Sequence, residues 1–206
     1  MRLTRKMLLP ILSTLVLTFS VAISAVASKT GDRKTFDSIS ISNFGQMDDH
    51  FYRGAQPKAG DFQSLAALGI KTVIDLRDDP TSYEKAASEA AGMRYINIPM
   101  SDKAYPTEGE IKQFLSIANN PATGKFFVHC AGGRHRTGVM GAIYRFNHDH
   151  WNFDQVYEEM KSYDFYTRFG HGEMKRYVQD YWQRIQDTGY PVSLVDVPGQ
   201  AKTVSR

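Results

Sequence analysis

Short apolar-rich runs alternate along the chain with stretches whose apolar positions recur every three or four residues, the pattern of an α/β fold with a partly parallel sheet. Residues 36–41 and 50–53 read as strand pieces. Asp61 to Leu68 has helical spacing and is closed by Gly69, and Ser82 to Ala91 is stopped in the same way by Gly92. Lys71 to Leu76 (KTVIDL), Met93 to Ile98 and Lys125 to His129 (KFFVH) have the length and composition of buried strands. Pro99 to Pro106 is a loop, after which Thr107 and Glu110 have the spacing of a capping box that opens a helix through about Ala118. Three more helices are expected over Thr137–His148, Phe153–Ser162 and roughly Gly172–Gln186. The expected architecture is a mostly parallel central sheet of four to five strands flanked by helices. It forms one domain over residues 28–190, and the tail 191–206 is expected to be loosely ordered.

The first 27 residues follow a different rule. Arg2, Arg5 and Lys6 precede an uncharged run from Met7 to Ala27 that is rich in Leu, Val and Ile and ends Ala25-Val26-Ala27 before Ser28. This is the form of an export signal cleaved after Ala27. A run of about 20 apolar residues is also long enough to span a bilayer, so an uncleaved membrane anchor is the alternative. Either way the basic residues stay on the cytoplasmic side and the body is expected outside the cytoplasm, periplasmic or secreted.

Composition narrows the function. With 42% hydrophobic and 12% aromatic residues against 23% charged, the chain can bury a core, which excludes a disordered or fibrous protein. The formal charge of +3 resides in the first 27 residues, and the remainder carries 22 basic against 22 acidic groups. Such a body has no global field to draw it onto nucleic acid, so an anionic partner must be held by a local cluster. A single cysteine excludes an internal disulfide and a multi-thiolate metal site. Cys130 is therefore either buried filler or chemistry.

The run His129-Cys130-Ala131-Gly132-Gly133-Arg134-His135-Arg136-Thr137-Gly138 places that cysteine between an apolar strand and a helix beginning near Arg136. Five intervening residues can curl so that successive backbone N–H groups point inward, and the helix N-terminus adds its own unsatisfied donors. Gly132 and Gly133 relieve the backbone strain of such a turn. The positive field favours the thiolate, the nucleophilic form of cysteine. Arg136 can fork two N–H donors onto phosphate oxygens and stabilise charge in the transition state.

This string, HCxxGxxRTG, resembles the signature of the cysteine-dependent protein tyrosine and dual-specificity phosphatase superfamily. FYRGAQP, GIKTVIDLRDD and GGRHRTG are similar to the atypical dual-specificity branch of plant, fungal and bacterial type, over about Phe51 to Gln186. The resemblance implies a tyrosine-phosphatase-like fold, Cys130 as nucleophile, Arg136 as phosphate ligand, a supporting hydroxyl from Thr137, and His129 ordering the loop behind the thiol. Ala131, Gly132, Gly133, Arg134 and His135 complete the substrate-binding set, and no cofactor or metal is implied. A general acid is also required, because an ester oxygen leaves poorly unless protonated. Asp102 fits, 28 residues before Cys130, in a Pro99-x-x-Asp102-x-x-x-Pro106 loop similar to the family's acid loop.

Other residues carry weaker readings. Asp75, Asp78, Asp79 and Glu108 are the alternative candidates for the acid, though Asp75 reads as a structural strand residue, Asp78 and Asp79 as solvated turn acids, and Glu108 as a helix N-terminal acid. His148, His150 and His171 lack metal-ligand spacing. Arg168, His171, Lys175 and Arg176 form a solvated helix face or dock an anion, and Tyr163, Phe165, Tyr166 and Phe169 read as packing. Arg53 is either structural or a rim contact. The expected partner is a phosphorylated protein or a small polyphosphorylated molecule, not nucleic acid, with oligomeric state open. The expected function is phosphomonoester hydrolysis through a cysteinyl-phosphate. The alternatives are an inositol phosphate or pyrophosphate phosphatase and, in another class, an inactive phosphate-binding module.

Overall fold

The computed structural model describes residue 36 and residues 39–188, all within the unit Arg33–Arg206. The expected export segment 1–27 and the tail 191–206 lie outside the described residues. Five strands are described, β1 (Gly45–Gln46), β2 (Phe51–Ala55), β3 (Ile70–Arg77), β4 (Arg94–Met100) and β5 (Lys125–Cys130), in the spatial order β1-β2-β5-β3-β4. Only the β1–β2 pair is antiparallel. The helices α1 (Asp61–Ala67), α2 (Glu84–Ala90) and α3 (Glu108–Ala118) are the crossovers between successive parallel strands, and α4 (Arg136–His148), α5 (Phe153–Ser162) and α6 (Gly172–Thr188) follow the last. The mixed α/β sheet expected from the pattern is the one observed.

The last of the described strands is also the middle of the sheet. β5 pairs with β2 on one side and β3 on the other, so its six residues are almost wholly covered, which is why KFFVHC is apolar nearly throughout. Side chains alternate across it. Phe126, Val128 and Cys130 enter the larger core with Phe51, Ile74, Leu76 and the helices from α3 to α6. Phe127 enters the smaller one with Tyr52, Val73, Phe62 and Leu65. The four parallel strands end at Ala55, Arg77, Met100 and Cys130, bringing those residues to one edge, where open α/β sheets place their ligands.

Several boundaries differ from the sequence expectation, two of them for local reasons. Residues 39–41 are not a strand: Asn43 takes a left-handed φ of 53° and turns the chain, so the first strand is the two-residue β1. Ile41 and Phe44 are instead buried in the smaller core. β4 runs two residues further than expected, through Pro99 to Met100. It is an edge strand, where a missing N–H costs no ladder bond. The capping box at Thr107 and Glu110 is formed, each side chain bonding the other's backbone N–H.

Helix α4 carries the residues of the loop's far end, and its position is fixed at the other terminus. Arg145, buried, bonds both oxygens of Glu159 in α5 at 2.6–3.2 Å, Asp149 at 2.7 Å and the Met47 carbonyl at 3.0 Å. Trp151 lies under its guanidinium at 4.3 Å. A guanidinium paired on every edge in this way stays charged while buried.

Candidate active site

Cys130 sits at the carboxyl end of β5, 4% exposed, with the 131–135 turn over it and α4 beginning at Arg136. The turn is shaped from outside. The Ala131 carbonyl accepts from the Gln56 backbone N–H at 3.3 Å, the Gly132 carbonyl from Asn43 Nδ2 at 2.9 Å, and the Gly133 carbonyl from Arg53 at 2.6 Å. Among the described residues, the N–H groups of Gly132 to His135 are paired with no protein acceptor. Successive amides left over in this way form an anion nest.

At Gly133 only glycine serves. Its φ is +66°, and a Cβ there would lie 2.4–2.6 Å from the backbone of Gly54 and Ala55. Arg53, 1% exposed, fixes the same contact by lying over the Tyr163 ring at 3.9 Å while bonding the Gly133 carbonyl. Of its two sequence readings, the structural one describes what it touches.

Arg136 is presented by one nitrogen. Its Nη1 donates to Asp78 at 2.7 Å and to the Met100 carbonyl at 3.1 Å, while its Nε–Nη2 edge has no protein partner among the described residues. That edge is the one that forks a phosphate. Asp78 is therefore more than a solvated turn acid. It follows directly on β3, the strand next to β5, and holds the arginine from behind. With the Asp78 side chain 56% exposed, the pair is worth on the order of 1 kcal/mol or less, weak enough not to compete with a dianion. The sequence signal was available: an acid just after a parallel strand, at the edge where the sites of such sheets lie. Thr137, fully buried in the first turn of α4, has a hydroxyl with no hydrogen-bond partner among the described residues, a group a bound anion or a thiolate can satisfy.

His129 faces away from Cys130 into the other layer and is completely buried. Its Nε2 lies 3.0 Å from Glu84 of α2 and its Nδ1 3.8 Å from Asp75. The 3.0 Å contact lacks hydrogen-bond alignment, and Glu84 Oε2 and both ring nitrogens of His129 have no directed hydrogen bond among the described residues. Asp75 accepts from the Arg77 N–H and the Tyr95 hydroxyl, and Glu84 from Thr81. Burial, then the bond to Asp75, pushes the Tyr95 phenol well above its usual range, keeping it a donor. Asp75, Glu84 and His129 are the one cluster of three possible metal ligands among the described residues; both oxygens of Asp75 and Oε1 of Glu84 are engaged by these internal bonds. His148 is elsewhere, stacked on Tyr144 at 4.1 Å.

Asp102 lies in the loop after β4 and is exposed. Its backbone carbonyl accepts from His171 Nδ1 at 2.9 Å. Glu108 stays on the exposed first turn of α3. Arg134 is half-exposed, 3.9 Å from Asp164. The His135 ring is buried among Phe165, Tyr166 and His171 and bonds the Tyr166 carbonyl at 3.0 Å.

Residues 28–177 match the family model described as a DSP-PTPase phosphatase fused to NAD+ kinase. The chain belongs to this phosphatase family. It is 29% identical over 150 residues to the Mycosarcoma maydis protein named "Putative tyrosine-protein phosphatase OCA1", covering 70% of this chain and 90% of that one. It is 26% identical to the inositol diphosphatase DSP3 of Arabidopsis thaliana, over 57% of this chain and 60% of the other. The crystal structure of TpbA from Pseudomonas aeruginosa superposes with a TM-score of 0.58 at 25% identity, covering 72% of this chain and 88% of that one. The protein is thus a cysteine-dependent phosphatase of the tyrosine and dual-specificity type, and its fold is the phosphatase fold that the HCxxGxxRTG string implies.

Two predictions arise from this geometry. Asp78→Ala should lower kcat/KM about tenfold, the equivalent of ~1.4 kcal/mol, mainly through KM, while the rate of Cys130 alkylation is unchanged; steady-state and iodoacetamide kinetics check this. The second concerns pH. Burial, then the adjacent His171, pull His135 down to about 4 from an ordinary 6.5. As pH falls from about 6.5 towards 4, the unfolded chain binds a proton that the native ring refuses, so stability declines across that window. Denaturant midpoints at pH 7 and 5 should show a smaller loss in His135→Phe than in the parent.

Proposed function

We propose that the chain hydrolyses phosphomonoesters in two steps on Cys130. The observation that carries this reading is the thiol beneath a turn whose amides and arginine edge are all left unpaired. The sulfur attacks phosphorus, the S–P bond forms as the P–O ester bond breaks, and Asp102 passes its proton to the departing oxygen. Asp102, now a carboxylate, then takes a proton from water as that water's oxygen bonds phosphorus and the S–P bond breaks, releasing phosphate. The unpaired amides and Arg136 stabilise the charge on the equatorial oxygens throughout. Thr137 serves the sulfur or the phosphate with its otherwise unused hydroxyl.

The first substrate reading is a phosphorylated protein side chain, supported by the name of the Mycosarcoma maydis relative. A second reading, an inositol phosphate or pyrophosphate, is supported by the half-exposed Arg134 beside the turn and by the name of the Arabidopsis relative. Turnover of phosphotyrosine peptide, phosphoserine peptide and inositol polyphosphates side by side separates the two. Cys130→Ser should abolish turnover and retain oxyanion binding. Asp102→Asn should slow phenyl phosphate at least tenfold more than 4-nitrophenyl phosphate, whose leaving group needs little protonation. Equal losses on the two esters would remove Asp102 from the acid role, and turnover by Cys130→Ser would remove the sulfur.

Export of the body through the 1–27 segment is part of the same reading. It is supported by the family match beginning at residue 28, the residue after the expected cleavage site. Among the described residues, no helix is long and apolar enough to cross a membrane. N-terminal sequencing of the mature protein should begin at Ser28; retention of Met1 would favour the anchor.

A further inference from the structure

The acid loop raises a question of aim. Among the described residues, no protein group bonds the Asp102 carboxyl, and the side chain is exposed, so its direction is inherited from its backbone. That backbone is held at three places. Ser101 Oγ accepts from the N–H groups of Lys103 and Ala104 at 3.2 and 3.1 Å, which shapes the turn locally. Tyr105 reaches α6 through Asp180 at 2.9 Å, which ties the far end of the loop to the helical layer. The third tie, His171, is the one that runs towards the phosphate turn.

A carbonyl oxygen only accepts, so His171 Nδ1 carries the proton it gives to Asp102. By the same logic His135 Nε2 carries the proton given to the Tyr166 carbonyl. With both tautomers fixed, the two rings lie face to face, centroids 3.6 Å apart and planes 9° from parallel. His135 immediately precedes Arg136, so the stack joins the residue next to the phosphate-binding arginine to the residue that grips the acid loop. Gly170 adds to the same junction, with the Lys103 side chain packed against it. Three segments distant in sequence, at 102–103, 135 and 166–171, meet there.

We propose that His171 is a positioning residue for the reaction, setting Asp102 over the leaving oxygen through its Nδ1–H bond to the Asp102 carbonyl and its stack on His135. This rests on the reading of Asp102 as general acid. A single bond of this kind contributes little to stability, but a displacement of about 1 Å in a proton donor can cost on the order of a hundredfold in rate. The effect is therefore expected in kcat and in leaving-group dependence, not in the folded fraction.

The test compares phenyl phosphate with 4-nitrophenyl phosphate on the full chain. His171→Phe keeps a ring on His135 and removes the donor; it should lose at least tenfold in kcat on phenyl phosphate and less than threefold on the nitrophenyl ester, with Cys130 alkylation unchanged. His171→Asn supplies an amide N–H near the position of Nδ1 and should recover most of that loss. In an Asp102→Asn background, His171→Phe should add no further loss, because the group it positions is gone. Equal losses on both esters, no loss, or full additivity with Asp102→Asn would overturn the proposal. If Asp102→Asn alone shows no leaving-group dependence, the acid assignment fails; if it does and His171→Phe does not, only the positioning role fails. Should His171→Phe not fold, as judged by its thermal melt, His171→Gln lengthens the donor arm and is read by the same criteria.

Discussion

Three carbonyl groups pulled outward decide the chemistry at the edge of the sheet. Ala131, Gly132 and Gly133 each turn a C=O towards a fixed donor, Gln56, Asn43 and Arg53 in that order. A peptide plane has two ends, so anchoring one directs the other. The amides that remain cannot be satisfied by the protein, and a negatively charged oxygen is the partner that suits them best. The three donors come from β2, from the residue after it and from the segment before β1. The short antiparallel corner of the sheet is thus part of the phosphate site without contributing a residue to the reaction.

Much of this was legible in the sequence because it depended on local spacing. The strand-turn-helix around Cys130 is contiguous, so ten residues sufficed to place thiol, turn and arginine, and the capping box at Thr107 could be read from two residues. What could not be read depended on strand order. Asp78 meets Arg136 because β3 lies beside β5, and periodicity contains no information on which strands neighbour each other. The same holds for Glu84 against His129 and Asn43 against Gly132, partners separated by 45 and 89 residues that only the folded sheet brings together. The misplaced first strand has a different cause. Ile39 and Ile41 have the composition of a strand, but the left-handed Asn43 turns the chain before a ladder can form.

The alternation of β5 divides labour between its two faces. Cys130 enters the layer that holds α4, while His129 enters the layer that holds α2 and meets Glu84 and Asp75 there. A buried imidazole between two carboxylates, with Arg77 nearby, concentrates charge directly behind the reactive end of the strand. Buried groups of this kind are costly when a bond is missing, and here Glu84 Oε2 and both ring nitrogens of His129 make no directed hydrogen bond among the described residues, a cost that the packing of α2 and β3 around β5 must offset.

The backbone-to-backbone approach of Gly133 to Gly54 has a wider consequence. Where two main chains touch without an intervening side chain, neither can shift unless the other follows, and the anion cradle is bound to the central sheet. Adaptation to a differently shaped molecule must then come from the periphery, the stretches around 101–106 and 164–171, whose side chains can be exchanged while the reacting atoms stay where they are. Such a division would let a lineage diversify in what it accepts while the step it performs remains constant.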